Sequence, residues 1–384
     1  MPSLQYPVVL RETLAAAVIL AVGMGFGRFA YTGMYPLMVR DGLLSVSTGS
    51  MAASANYAGY LVGALLVSRT GPGKSAFLCK AALAGTVLCL AALAHDGGPA
   101  YIITIRLIAG IISALAMVSA SAWLFQVVGN TQGAPLLYAG VGVGIMMSAE
   151  TIAIGNVLTL HSSMLWLGLT VGSGILCAFA WRFLTTQQRS AMASGSSTLP
   201  RGQSLGPWSL IAIYGLAGFG YIITATYLPL FVRNAIGMYD PIHIWAAFGL
   251  GAAPSCFLWH QLQLRFGTRR ALVFNLIVQA VGVMLPIVSK SPLAFLLSAL
   301  LVGGTFMGTV TIAMPAARHL ATVVSFNIFA VMTAAYGIGQ IIGPLLSDAL
   351  YRHTQTFDAA LWVACGALLL AAAISLKARA RPHS

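Results

Sequence analysis

The stretch Gly25-Phe26-Gly27-Arg28-Phe29-Ala30-Tyr31-Thr32-Gly33-Met34-Tyr35-Pro36-Leu37-Met38-Val39-Arg40-Asp41 returns 193 residues later as Gly218-Phe219-Gly220-Tyr221 through Pro229-Leu230-Phe231-Val232-Arg233-Asn234. Seven of the 17 positions are identical without a gap, and the offset is almost half of the 384 residues. The chain therefore reads as two copies of one unit, and a repeat of this kind governs the fold class. One difference between the copies concerns chemistry: Arg28 in the first is Tyr221 in the second.

Composition says where such a duplicated chain lives. Charged residues are 7% of it and hydrophobic residues 59%, against about 25% charged in soluble domains. Mean hydropathy is +0.88. The apolar residues come in runs of roughly 20, the length that crosses a hydrocarbon core about 30 Å thick. The expectation is an all-α polytopic membrane protein. A net charge of +13 suggests nucleic acid at first, but the basic residues are scattered over short loops, which reads as an orientation signal. Cys79, Cys89, Cys177, Cys256 and Cys365 all fall inside apolar runs without paired metal spacing, so neither disulfides nor a metal site is expected. No removable signal peptide is apparent near the start.

Twelve apolar segments can be marked, at 11–39, 47–68, 75–94, 100–127, 133–159, 162–184, 207–233, 241–263, 270–289, 292–317, 324–350 and 358–377. Between the sixth and seventh, residues 185–206 are polar and rich in Ser and Gly, which suits a flexible connector. The expected domains are a six-helix bundle over 1–184, a cytoplasmic linker over 185–206 and a second six-helix bundle over 207–384. With a cytoplasmic N-terminus, that side carries Arg11, Arg69, Lys74, Lys80, Arg182, Arg189, Arg201, Arg265, Arg269, Arg270, Arg318, Lys377, Arg379 and Arg381. The other side keeps Arg40, Arg233, Lys290 and Arg352. Fourteen against four places both termini in the cytoplasm.

Arg28, Arg106 and Glu150 are the charges that fall deep inside spans, where charge is costly and usually functional. Counting along the spans at about 1.5 Å per residue puts all three in the outer half of the membrane, within roughly two helical turns of one level. They are expected to meet. Glu150 is then a protonatable carboxylate, with burial raising and the arginines lowering its pKa. The arginines stay cationic. Two fixed positive charges and one switchable negative charge suit an organic anion, with protonation of Glu150 releasing an arginine. The bland alternative is a permanent Arg–Glu–Arg tie between helices.

Tyr31 and Tyr35 share the helix face of Arg28, and Asn56 pairs with Tyr60 on the second span. Tyr221, Thr224 and Tyr227 occupy the echoed face, and Asn327, Tyr336 and Gln340 lie on the eleventh segment. Singly, each of these suits helix packing; together they suggest a mixed aromatic and polar cavity at the repeat interface. No catalytic motif of the common enzyme classes is present. With seven acidic residues in all, little material for acid–base catalysis remains.

Six plus six spans, a polar central linker and cytoplasmic termini resemble the major facilitator superfamily over the whole chain. Arg106-Leu107-Ile108-Ala109-Gly110 looks like its fourth-span pattern of Arg followed four residues later by Gly, which implies a part for Arg106 in proton transfer. At offset 193, Arg106 falls on Ala299 and Gly110 on Gly303. Arg69-Thr70-Gly71 with Lys74, and again Arg265-Phe266-Gly267-Thr268-Arg269-Arg270, resemble the family's cytoplasmic gating loops. Ser68 and Leu264 stand where that pattern has Asp, so the associated gating salt bridge is not implied. The fifth-span antiporter signature is absent; Gly339-Gln340-Ile341-Ile342-Gly343-Pro344 sits on the eleventh segment instead. That run, with Gly27-Arg28-Phe29-Ala30-Tyr31 and Asn56 through Leu65, is similar to the YbfB/YjiJ branch.

The resulting expectation is a monomeric secondary transporter of the bacterial inner membrane, not an enzyme, working by alternating access around a central cavity. Its partners are a small organic anion or amphipathic metabolite, protons and the lipid bilayer, with no cofactor, metal or nucleic acid. A hydrophobic-drug exporter, a non-transporting sensor and a membrane-embedded transferase are the alternatives.

Overall fold

The computed structural model describes residues 5–184, 205–232, 241–321 and 324–377. Among these every regular element is helical, as long apolar sequences demand: in hydrocarbon each backbone N–H and C=O must find its partner within the segment. Eleven of the helices are long and apolar enough to cross a membrane. The chain divides into two compact units, Met1–Ser197 and Thr198–Ser384. The connector expected over 185–206 lies almost entirely outside the described residues, as do Arg189, Arg201, Arg233, Arg379 and Arg381.

The first unit begins with one span, Val9–Arg40, built of three pieces: α1 (Gln5–Leu20), a π-helical segment (Ala21–Phe29) and α2 (Ala30–Arg40). There follow α3 (Val46–Val67), α4 (Ser75–Leu93), α5 (Gly98–Ala122), α6 (Ala134–Val157) and α7 (Ser162–Trp181). Helix starts carry the expected chemistry. Ser45 accepts the Thr48 N–H at 3.0 Å ahead of α3, and Asn130 accepts the Gly133 N–H at 3.1 Å ahead of α6. Such caps satisfy donors that the helix itself leaves orphaned.

The second unit contains α8 (Pro207–Val232), α9 (Pro241–Val288), α10 (Pro292–Leu320), α11 (Ile328–Thr354) and α12 (Asp358–Lys377). The segments marked at 241–263 and 270–289 are two helices that meet at a kink, with Gly267 as the one non-helical residue between them and no longer loop. Gly267 has φ 80° and ψ 162°, a combination essentially reserved for glycine. A single such residue redirects the chain while helix continues on both sides. The eleventh segment also shifts: α11 starts at Ile328, because Asn327 caps it by accepting the Ala330 N–H at 3.1 Å.

The repeat is visible in the packing. A Cβ on Gly110 would lie 2.0 Å from the Asn56 carbonyl oxygen, and one on Gly303 would lie 2.1 Å from that of Phe248. The two positions are 193 apart in sequence, and each lets a helix backbone touch its neighbour, as small residues do in membrane bundles. The echo stops at the opening stretch. Gly25 to Phe29 is π-helical, whereas Gly218 to Ile222 lies in the uninterrupted α-helix α8.

Candidate functional site

Three glycines shape the first span. Gly23 abuts Ala116 of α5, Gly25 the backbone of Gly144 on α6, and Gly27 the Thr86 side chain of α4. Alternate residues thus press three different helices against one turn, and Arg28 follows immediately. Arg28 is 3% exposed and Arg106 1% exposed. The Arg28 guanidinium lies over the Tyr60 ring at 4.2 Å, over Tyr57 at 4.9 Å and over Phe29 at 5.3 Å. Ring faces are negative, and desolvated cation–π contacts of this kind are worth about 2 kcal/mol each. Tyr57, which sequence reasoning passed over in favour of Tyr60 and Asn56, is part of this cage. Its signal was available, since Tyr57 and Tyr60 are three apart on one helix.

Arg106 comes from α5 and reaches the same turn from another side. Its two terminal nitrogens donate to the carbonyl oxygens of Gly27 and of Arg28, each at 3.2 Å. Its guanidinium covers the Tyr31 ring at 4.3 Å, and its Nε has no hydrogen-bond partner. Among the described residues Arg106 forms no ion pair. Asn56 donates to the Arg106 carbonyl at 2.9 Å, so it fixes α5 against α3 rather than facing open space. Tyr31 donates to the Gly49 carbonyl at 3.0 Å, stacks on Tyr35 at 5.5 Å, and Tyr35 in turn bonds the Val46 carbonyl. Arg28, Tyr31, Tyr35, Asn56, Tyr60 and Arg106 are therefore one contiguous cluster.

Glu150 is set differently. The face of α6 turned to the π-helical segment carries Gly144 and Ser148, whose hydroxyl donates to the Gly25 carbonyl at 3.4 Å. Glu150 is two residues beyond Ser148, hence about 200° around the helix. It is half-buried and shares its stripe with the exposed Val143, Met147, Ile154 and Val157. The expected three-way meeting does not extend to an Arg106–Glu150 pair, because depth alone left the rotational setting of α6 open.

In the second unit the predicted residues divide. Tyr221 is bonded by the Gln340 amide and stacks on Phe306 at 5.2 Å and Tyr336 at 5.8 Å. Tyr214 on Tyr336 at 4.5 Å, Phe248 on Phe306 at 5.2 Å and Trp245 on Phe248 at 4.5 Å extend this into a run of six rings. Thr224 is fully buried and its hydroxyl has no partner. Tyr227 donates to the Pro344 carbonyl at 3.0 Å and packs on Phe357. Asn327 is exposed at the start of α11, 13 residues and about 20 Å of helix from Gln340. It is a helix cap, remote from the rings.

The two expected loop motifs also differ. Arg69, Gly71 and Lys74 are exposed, and Gly71 is not among the positive-φ glycines. Gly267 has the backbone setting just described. Arg269 donates to the Ser375 carbonyl at 2.9 Å and ties the break to the end of α12, while Arg265 lies over Phe266 at 5.3 Å.

Comparison with solved structures gives a crystal structure of a point mutant of the nucleoside transporter NupG, with TM-score 0.67 and 14% sequence identity over 96% of this chain and 99% of that one. At that identity the likeness concerns the fold. No curated protein matches the sequence. Residues 20–376 match the family model described as "Uncharacterised MFS-type transporter YbfB". Apolar helices, the fold of a transporter and a family match across nearly the whole chain agree, and the protein is an integral, multi-pass membrane protein of the YbfB-type transporter family within the major facilitator superfamily.

Proposed function

We propose that the protein is a secondary transporter that moves a small organic anion or amphipathic metabolite across the bacterial inner membrane by alternating access. One observation carries the substrate class: Arg106 is buried at 1% exposure with no carboxylate against it, beside a second buried arginine sandwiched by tyrosines. A buried guanidinium cannot shed its proton, so this turn holds a standing positive field in a medium that screens it little. An anion with an apolar body satisfies both the charge and the surrounding rings.

Several finer features belong to the same reading. The 48-residue α9, about 72 Å if straight, is more than twice a bilayer core, so its halves on either side of Gly267 are two spans and the total is twelve. Six spans then fall in each half, with 185–206 as the connector and both termini in the cytoplasm. Glu150 is the coupling carboxylate for protons; its membrane-level place on α6 supports this, and it acts on the transport cycle without pairing to Arg106.

The test begins with a thermal-shift screen of small carboxylates against the purified protein. Flux of the best stabiliser is then measured in proteoliposomes with an imposed pH gradient. Arg28→Ala should reduce flux at least tenfold, and Glu150→Gln should abolish its dependence on the gradient. Undiminished flux in Arg28→Ala refutes the anion reading. Gradient-independent flux in the unaltered protein refutes the coupling.

The six-ring run in the second unit favours a second reading, a neutral planar substrate such as an aromatic metabolite. There Tyr221→Ala and Tyr336→Ala abolish flux while Arg28→Ala leaves it intact.

A further inference from the structure

The duplicated stretch contains its own control experiment. Two similar sequences at equivalent places in two similar bundles adopt different helical registers: π over Ala21–Phe29, α throughout Pro207–Val232. A π-helix bonds each N–H five residues back and is rare except in short functional segments. Here the Ala30 N–H returns to the Gly25 carbonyl. Two of its three glycines recur in the second copy, at Gly218 and Gly220, without a π segment there.

Besides Arg28 itself, several differences between the copies bear on this turn: Gly23 is replaced by Leu216, Phe29 by Ile222 and Tyr31 by Thr224; Ser148, which reaches the segment from α6, by Ile341; and Arg106, which reaches it from α5, by Ala299. Two of these act on backbone carbonyls of the segment: Ser148 donates to that of Gly25, and Arg106 reaches its C-terminal end. It donates to two successive carbonyls, Gly27 and Arg28, at the C-terminal end of the π segment, and its ring partner Tyr31 lies just beyond. An alanine can do neither.

We propose that Arg106 is a positioning residue: by bonding the Gly27 and Arg28 carbonyls it holds the first span in its π register and so aims Arg28 at Tyr57 and Tyr60. The guanidinium fork matches two adjacent oxygens, which a single ammonium cannot reproduce. Slipping the segment to α register by one residue rotates Arg28 by about 100° relative to the helix before it. That takes its guanidinium off the rings of α3. Arg106 thus acts on the substrate through Arg28, which rests on the reading of Arg28 as the anion-binding group.

The test uses the full chain in nanodiscs, without substrate, by hydrogen–deuterium exchange. In Arg106→Gln, amides of residues 21–32 should exchange at least tenfold faster, while those of residues 214–224 keep their rates. Arg106→Lys, which retains charge and stays foldable, should fall between. A second readout reports aim: in a cysteine-free background, Arg28→Cys and Tyr60→Cys should be joined by a short bifunctional thiol reagent, and adding Arg106→Gln should abolish the product. Unchanged exchange over 21–32, equal acceleration in both copies, or undiminished cross-linking overturns the proposal. Because none of this uses a substrate, it separates from the flux assay. Normal flux in Arg28→Ala refutes the anion reading and leaves the register result standing.

Discussion

At the residue scale, the first span ends in a small polar knot. Arg40 donates to Asp41 at 2.7 Å, to Asn156 at 2.8 Å and to the Leu160 carbonyl at 3.4 Å, while the Ser162 N–H donates to Asp41 at 2.8 Å. His161 stands 3.7 Å from the same carboxylate. Partial burial raises the Asp41 pKa, but the Arg40 bond and the Ser162 donor outweigh it and the pKa lies below the ordinary 3.8. A carboxyl depressed in the folded state stabilises at pH above its unfolded value, and that contribution disappears as pH falls through the folded value. Thermal unfolding followed in detergent should therefore be insensitive to this group above about pH 5 and lose its contribution below about pH 4. Asp41→Asn should lower the melting temperature at neutral pH and flatten that acid limb; an unchanged limb contradicts the assignment. Arg40 and its sequence partner Arg233 were legible as a pair from the repeat. The contacts with Asn156 and Ser162, more than a hundred residues away, were not.

At the element scale, two glycines carry geometry that their sequence context only hinted at. A methyl on Gly110 would meet the Asn56 oxygen at 2.0 Å, and neither helix can retreat without opening the α3–α5 contact. Gly110→Ala should cost roughly 1–3 kcal/mol, typical of overpacking, read as a lowered unfolding midpoint. Gly110→Ser should be worse. Gly267→Ala carries a different burden, because its φ of 80° with ψ of 162° is strained for any residue with a Cβ, by roughly 1–3 kcal/mol. Its substitution should destabilise the second unit, with faster amide exchange in α12, where Arg269 is anchored to Ser375. Both glycines stood in recognisable patterns. The pattern around Gly267 suggested a loop between two helices, and the chain makes that break with a single non-helical residue.

At the scale of the whole molecule, the asymmetric distribution of Lys and Arg predicts a topology that labelling can check. In a cysteine-free background, Asp96→Cys in the turn after α4 should react with an impermeant maleimide added to intact cells. Ser68→Cys, before α4, should react only after permeabilisation. The reverse result inverts the orientation. The all-helical, membrane-crossing character of the chain was readable from its long apolar runs, since a bilayer imposes length and periodicity directly on sequence, and its family from the motifs around Arg28, Asn56 and Gly339. Arg28, Tyr31, Tyr60 and Arg106, singled out by buried charge and helical spacing, lie together in the structure, whereas Asn327 caps a helix away from the rings and Glu150 does not pair with Arg106. Spacing gives depth along a helix; which way the helix is turned depends on its neighbours.

The opening stretch marks where the two sources of information divide. Its sequence determined that the protein is a duplicated membrane chain, because seven shared positions at an offset of 193 survive any uncertainty about helix ends. It could not determine that Gly25 to Phe29 is π-helical while Gly218 to Ile222 is α-helical. A π register is rare by itself, so groups that arrive from elsewhere in the chain hold it here. In the first unit an arginine 78 residues away bonds the backbone of that turn; in the second an alanine stands in its place.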